Sequence, residues 1–350
     1  MRPGGFVAVG MALGSLLVGC ASDTSAGDYC SAPPRGVVEI EVDEVPDGCP
    51  LSGAPCMDAY LALPTLAPDD VTHDLGDAQL DDQITLVRSG DWPQVDEDLD
   101  PETLAREAWR AARLDWMLDG FDGRSLRVEV LERDDTPGAR SVRWIADDLL
   151  VGRFSGTTLL PDGDGPHPAL VVAHGHNQTG ADWAALYDAR SLADDGYVVL
   201  LPDARVSRAD EFESAVTKQL LLNGLTFVGV RSYEHLVTLK YAASLAEVDA
   251  CRVGLVGHSG GAVAANLTTR VSLGFAAVVT DLVSDFYQEL QGGILLDETA
   301  PAVHGLAPEI NDLSDVHVPV MKVDYGYVEP GTDRDWWPEI RTFLHEHLRD

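Results

Sequence analysis

The chain has 350 residues, 45% of them hydrophobic, enough for one large core or two smaller ones. It carries 58 Asp and Glu against 24 Lys and Arg, a formal net charge of -34. That balance excludes nucleic acid as a partner, because proteins meet phosphates with Lys and Arg. It reads as the mark of an acid-rich proteome or a salty habitat, ahead of an acidic face built for a partner.

Residues 1–20 stand apart from the fold. Arg2 gives a short positive start, Phe6 to Val18 are apolar, and Leu17-Val18-Gly19-Cys20 follows, the pattern of a secretory signal peptide. No later stretch is apolar for long enough to cross a bilayer. The end of the signal resembles a bacterial lipobox. That resemblance implies that Cys20 becomes the mature N-terminus and is acylated, tethering the protein in the cell envelope on an extracytoplasmic face. Each buried methylene of such a chain contributes about 0.8 kcal/mol. An ordinary cleaved signal with a coincidental cysteine is the alternative. Residues 21–28 are small and polar, as a flexible tether should be. Export leaves Cys30, Cys49, Cys56 and Cys251 in an oxidising compartment, so at least one disulfide is expected among Cys30, Cys49 and Cys56. Four cysteines allow three pairings. A zinc site is the weaker reading, with no histidine near the cluster, and Cys251 reads as a buried thiol.

Residues 21–100 form a Pro-, Asp- and Gly-rich extension with one strand-like run, Val37 to Val42; residues 101–350 form the main domain. The domain opens on a predicted helix, with Asp100 as N-cap, Pro101 in the first turn and Leu104, Ala108, Ala111 and Leu114 at helical spacing. Alternating segments at Leu126–Leu131, Val142–Ile145 and Leu149–Leu160 predict an antiparallel start to a sheet. The period then changes. Strands are predicted at Ala169–Ala173, Tyr197–Leu201, Arg252–Val256, Phe275–Thr280 and Val318–Val323. Helices are predicted at Trp183–Ala193, Gly229–Leu245, Ala262–Thr269 and Trp336–Leu348. Such alternation predicts a mainly parallel α/β sheet with helices on both faces and ligands at the carboxyl ends of its strands.

Two turns fall at such ends. One is "HGHNQTG", residues 174–180. The other is Gly257-His258-Ser259-Gly260-Gly261, where a buried strand meets a helix of small residues. G-x-S-x-G in that setting is a nucleophile elbow, a turn so tight that its neighbours must be small and the serine Oγ stands exposed. No motif calls for a metal or a nucleotide cofactor.

The segments "VVAHGHNQTG", "LLPDAR", "NGLTFVGVRSYEHLVTLKYAASLAEVDACRVGLVGHSGG" and "WWPEIRTFLHEHL" resemble the dienelactone-hydrolase and acetyl-xylan-esterase branch of the α/β-hydrolases. The resemblance covers most of residues 125–348. It implies that Ser259 attacks an ester carbonyl, and that the backbone N–H groups of Gly260 and His176 hold the oxyanion. His174 and His176 are expected to shape their turn rather than to transfer protons. The family's catalytic histidine lies on a loop before the last helix, and this sequence has no histidine between His317 and His345. A helix and a strand of the family's usual ending are missing, so the fold is expected to be shortened at its C-terminal end. His317 precedes its strand, and His345 and His347 lie inside the last helix. His304 is therefore the candidate base. Glu329 stands nearest the family position for the acid, with Asp324, Asp281 and Asp285 as alternatives.

The function expected is a membrane-tethered serine hydrolase that cleaves a small-molecule carboxylic ester through an acyl-enzyme. Two alternatives stand beside it: a degenerate hydrolase fold serving as a binding or envelope protein, and an exported peptidase of the same fold.

Overall fold

The computed structural model describes residues 38–42, 117, 121, 125–148, 150–175, 178–204, 225–271, 274–281, 313, 316, 318–323 and 337–349. Nine strands are formed by Val38–Val42 (β1), Leu126–Asp134 (β2), Ser141–Asp148 (β3), Gly152–Leu159 (β4), His167–Ala173 (β5), Val198–Pro202 (β6), Val248–His258 (β7), Ala277–Asp281 (β8) and Val320–Val323 (β9). The helices among the described residues are Gly180–Leu186 (α1), Ala189–Asp194 (α2), Phe227–Ser244 (α3), Gly260–Val271 (α4) and Trp337–Leu348 (α5).

All nine strands join one sheet in the order β1-β2-β3-β4-β6-β5-β7-β8-β9. The pairs β2–β3, β3–β4 and β4–β6 are antiparallel, and β6, β5, β7, β8 and β9 run parallel to one another. Because side chains alternate along a strand, each central strand feeds two helix layers. Ala169, Val171 and Ala173 of β5 join one core with Val228, Val230 and Val237 of α3 and Val263 and Leu267 of α4. Leu170 and Val172 of the same strand join a second core with Trp183 of α1, Leu192 of α2 and Ile340, Leu344 and Leu348 of α5. The expected mainly parallel sheet with helices on both faces is therefore the fold observed.

Several boundaries differ from the periodicity, each for a local reason. The single helix expected over Trp183–Ala193 is two, α1 and α2, because Asp188 adopts φ 47° and no α-helix passes through a left-handed residue. The elbow strand is longer than its apolar run, extending back to Val248 through half-buried Asp249, Ala250, Cys251 and Arg252. Cys251 is not a buried thiol. It is half-buried and disulfide-bonded, with its partner outside the described residues, as are Cys20, Cys30, Cys49 and Cys56. The strand-like run near Val37 is β1, which pairs in parallel with β2 and puts part of the N-terminal stretch on the sheet's edge. The helix expected from Asp100 lies outside the described residues except for Met117, which is helical. Among those residues no helix is long and apolar enough to cross a membrane.

Candidate active site

The end of β7 and the start of α4 make the turn that the sequence singles out. Ser259 has φ 51°, a left-handed conformation that costs a non-glycine residue of order 1–3 kcal/mol and persists where its surroundings enforce it. Its backbone is enforced on both sides. The Ser259 N–H donates to the Asp281 carbonyl at 2.8 Å, and its own carbonyl accepts from Ala262 N–H at 2.8 Å and Val263 N–H at 3.2 Å. A Cβ on Gly261 would stand 2.0 Å from the Ala173 carbonyl oxygen and 2.4 Å from that of His174; one on Gly257 would stand 2.8 Å from Ala262 Cα. The expected crowding at Gly257 and Gly261 is thus backbone against backbone, and no side chain fits.

That crowding brings the second turn onto the first. A Cβ on Gly175 would lie 3.2 Å from Ser259 Cβ and 3.0 Å from His258 Cδ2, so the backbone after β5 rests against the elbow. The turn is held by hydrogen bonds from its own side chains. Gln178 Oε1 accepts from Gly175 N–H at 2.8 Å. Thr179 caps α1, accepting from Asp182 N–H at 3.1 Å, while Asp182 Oδ2 accepts from Thr179 N–H at 2.9 Å, a capping box. Asp203, after β6, accepts from Gly180 N–H and from the Ser155 hydroxyl, each at 3.0 Å.

His174 is part of this scaffold. Ala204 N–H donates to its Nε2 at 2.9 Å, which leaves the ring proton on Nδ1, 2.9 Å from the Gly175 carbonyl. Burial first, and then the Arg231 guanidinium, lower its pKa to about 3, so the ring is neutral at physiological pH. Arg231, buried on α3, donates to the His174 carbonyl at 2.6 Å. With both nitrogens engaged, His174 shapes the turn.

Gly260 is the first residue of α4, and its N–H has no intrahelical acceptor. It points out of the helix end beside Ser259, where an anion gains from the helix dipole as well. Among the described residues the Ser259 hydroxyl makes no hydrogen bond. His176, His304, Glu329, Asp285, Asp324 and His317 lie outside the described residues. His345 and His347 lie on α5 and pack on Tyr197 and Phe343, with ring centroids 5.7 and 4.5 Å apart respectively.

One constellation was not legible from the motifs. His258 Nδ1 lies 2.8 Å from Asp281 Oδ2 and 2.8 Å from the Tyr187 hydroxyl, which also donates to Asp281 Oδ2. His258 and Asp281 are 3% and 6% exposed, so this is a buried hydrogen-bonded group immediately behind the Ser259 turn. Tyr187 in turn stacks near Trp183, His258 and Trp337, the first residue of α5, with centroids 4.8, 5.5 and 5.3 Å away. The sequence held one signal: Asp281 and His258 both end buried strands, and adjacent strand ends bring such residues together. Among the described residues no three His, Cys, Asp or Glu side chains group as a metal site.

A strand–elbow–helix turn at the carboxyl end of a mostly parallel sheet, covered by helices on both faces, defines an α/β-hydrolase fold. Residues 154–291 match the dienelactone hydrolase family, a span that runs from within β4 through β8 and includes both turns. Among solved structures, acetyl xylan esterase 1 from Thermoanaerobacterium sp. JW/SL YS485 is 12% identical, with a TM-score of 0.51 over 73% of this chain and 95% of that one. An acetyl xylan esterase from Paenibacillus sp. R4 is 11% identical, with a TM-score of 0.46 over 84% of this chain and all, 100%, of that one. A Bacteroides fragilis protein thought to be an acetyl xylan esterase is 16% identical, with a TM-score of 0.45 over 58% of this chain; the chain spans 59% of that structure's length. No curated protein matches the sequence.

Proposed function

We propose that the protein is a serine hydrolase that cleaves carboxylic esters through an acyl-enzyme at Ser259, and that it works in a bacterial cell envelope, anchored through an acylated Cys20. The observation that carries the catalytic reading is the strained, glycine-enclosed elbow at Ser259, seated against the 174–178 turn. In this reading the Ser259 hydroxyl attacks the ester carbonyl and loses its proton to a base. The carbonyl oxygen, now an oxyanion, is held by the Gly260 N–H and by the N–H of His176. The alcohol leaves with the proton from the base, and water reverses the sequence to free the acid. Losing one oxyanion donor costs on the order of 3 kcal/mol of barrier in other hydrolases, so the 174–178 turn matters as much as the base. His304 is the proposed base and Glu329 its orienting acid. The anchor rests on the lipobox-like Leu17-Val18-Gly19-Cys20.

The test is covalent labelling of the purified protein with a fluorophosphonate. One equivalent should attach at Ser259, and Ser259→Ala should abolish both labelling and turnover of short activated esters. A wild-type protein that neither labels nor outpaces Ser259→Ala would be a binding protein on a hydrolase fold.

A further inference from the structure

We infer that the molecule carries a second small-molecule site, at the opposite end of the sheet from Ser259. It is a cavity of about 300 Å³ between the C-terminal end of α3 and the β2–β3–β4 face, at the small end of the range for ligand pockets. Its ligand is a small neutral molecule, apolar over most of its surface, with a single hydroxyl or carbonyl oxygen. Glu247, at the cavity's rim, precedes β7, and Ser259 follows it. A strand of 11 residues at about 3.3 Å each separates the two sites by on the order of 35 Å, so neither is an extension of the other. The inference stands independently of the Ser259 reading.

The walls define the ligand. Val130, Val142 and Leu160 supply apolar surface. Tyr241 is 1% exposed, yet among the described residues its hydroxyl has no hydrogen-bond partner. Its ring is held against Trp144, centroids 5.0 Å apart, and the residue lines the cavity. Burial, and then the Glu247 carboxylate, raise its pKa and keep it a protonated donor. Thr158, 1% exposed, accepts from Trp144 Nε1 at 3.0 Å and keeps its own proton as a second donor. Two hydroxyl donors on residues that line the cavity suit one acceptor oxygen. The rim decides the charge. Arg133 pairs with Asp135 and Glu247, and Arg140 lies 4.0 Å from Asp135, so the rim charges cancel and offer nothing to recruit an ion.

The experiment titrates 4-fluorophenol into Ser259→Ala protein and follows it by ¹⁹F NMR. Saturable binding at millimolar probe is expected. Tyr241→Phe, which keeps the ring on Trp144 and removes the hydroxyl, should weaken it about fivefold or more. Ala246→Trp, at an exposed residue of the cavity's rim, should abolish it. Absence of saturable binding to the parent protein overturns the inference. So does an affinity unchanged in Tyr241→Phe, a substitution that leaves the core's volume intact and keeps the test decisive should Ala246→Trp not fold.

Discussion

His174 shows how burial makes a motif histidine structural. The ring is enclosed, accepts from Ala204 N–H and lies beside a buried guanidinium, and its pKa falls from 6.5 to about 3. His235, on the same helix as Arg231, is held well below 6.5 by burial first and then by Arg231 and His174. The sign of the pH effect follows. In the unfolded chain both rings take up a proton near pH 6.5; in the folded protein neither does until far lower. The unfolded state therefore binds more protons below that point, and stability is lost as pH falls from about 6.5. At pH 5 the loss is about 2 kcal/mol for His174, and His235 adds to it in the same direction. Most carboxylates remain ionised in that window, so relief of acidic repulsion does not mask it. Urea denaturation at pH 7 and pH 5 should show the lower stability at pH 5, and the His174 ring ¹⁵N shifts should stay those of a neutral imidazole. Equal stability at both values, or a His174 titration near 6.5, would contradict this account.

At the level of elements, the site is an assembly of strand and helix ends. The Tyr187–His258–Asp281 group joins the end of α1 to the ends of β7 and β8, and through Tyr187 it touches α5 at Trp337. It ties the end of β7, where the chain enters the Ser259 turn, to its neighbours. Asp281→Ala leaves His258 buried without its carboxylate partner, and losing a buried hydrogen-bond partner in this way costs about 1–3 kcal/mol. If Ser259 is the nucleophile proposed above, the expected kinetic consequence is a fall in kcat with little change in KM, since Ser259 loses its alignment while the pocket walls stay. Tyr187→Phe, which removes one hydrogen bond, should cost about 1 kcal/mol and give a smaller fall in kcat. A raised KM with kcat intact would place Asp281 in substrate binding instead. Helix α3 makes a parallel point. Every residue from Phe227 to Ala242 is buried, including Arg231, Glu234, His235 and Lys240. Such a helix cannot be held by an amphipathic stripe alone. Its polar groups need specific acceptors, such as the His174 carbonyl for Arg231 and the Phe121 carbonyl for Lys240 at 3.0 Å.

For the whole molecule, the decisive quantity is the net charge of -34. Repulsion among so many carboxylates opposes the compact state, and it acts over the Debye length, about 30 Å at 0.01 M salt and about 8 Å at 0.15 M. Raising sodium chloride across that range should therefore raise Tm, by about 2–4 °C for each kcal/mol of repulsion relieved. A Tm that stays level or falls would mean that local ion pairs, such as Arg153–Glu129 and Arg252–Asp249, outweigh the global field.

The sequence by itself determined the layered architecture and the elbow. Alternating apolar runs and helical spacing are local properties, and burial of Ala169–Ala173 or Val253–Val256 on both faces follows from composition alone. Gly257 and Gly261 also declared themselves, because a turn with no room for a Cβ admits no other residue. Tertiary structure decided the rest. Asp188 breaks a helix that reads as continuous, through one backbone angle that no periodicity reports. The pairing of β1 with β2 joins residues more than eighty positions apart, and the meeting of Tyr187, His258 and Asp281 draws on three elements. The neutrality of His174 likewise depends on burial and on Arg231, 57 residues away along the chain. Contacts of this kind are set by strand order and crossover direction. A linear pattern shows which residues want to be buried, and only the folded sheet decides which of them are buried together.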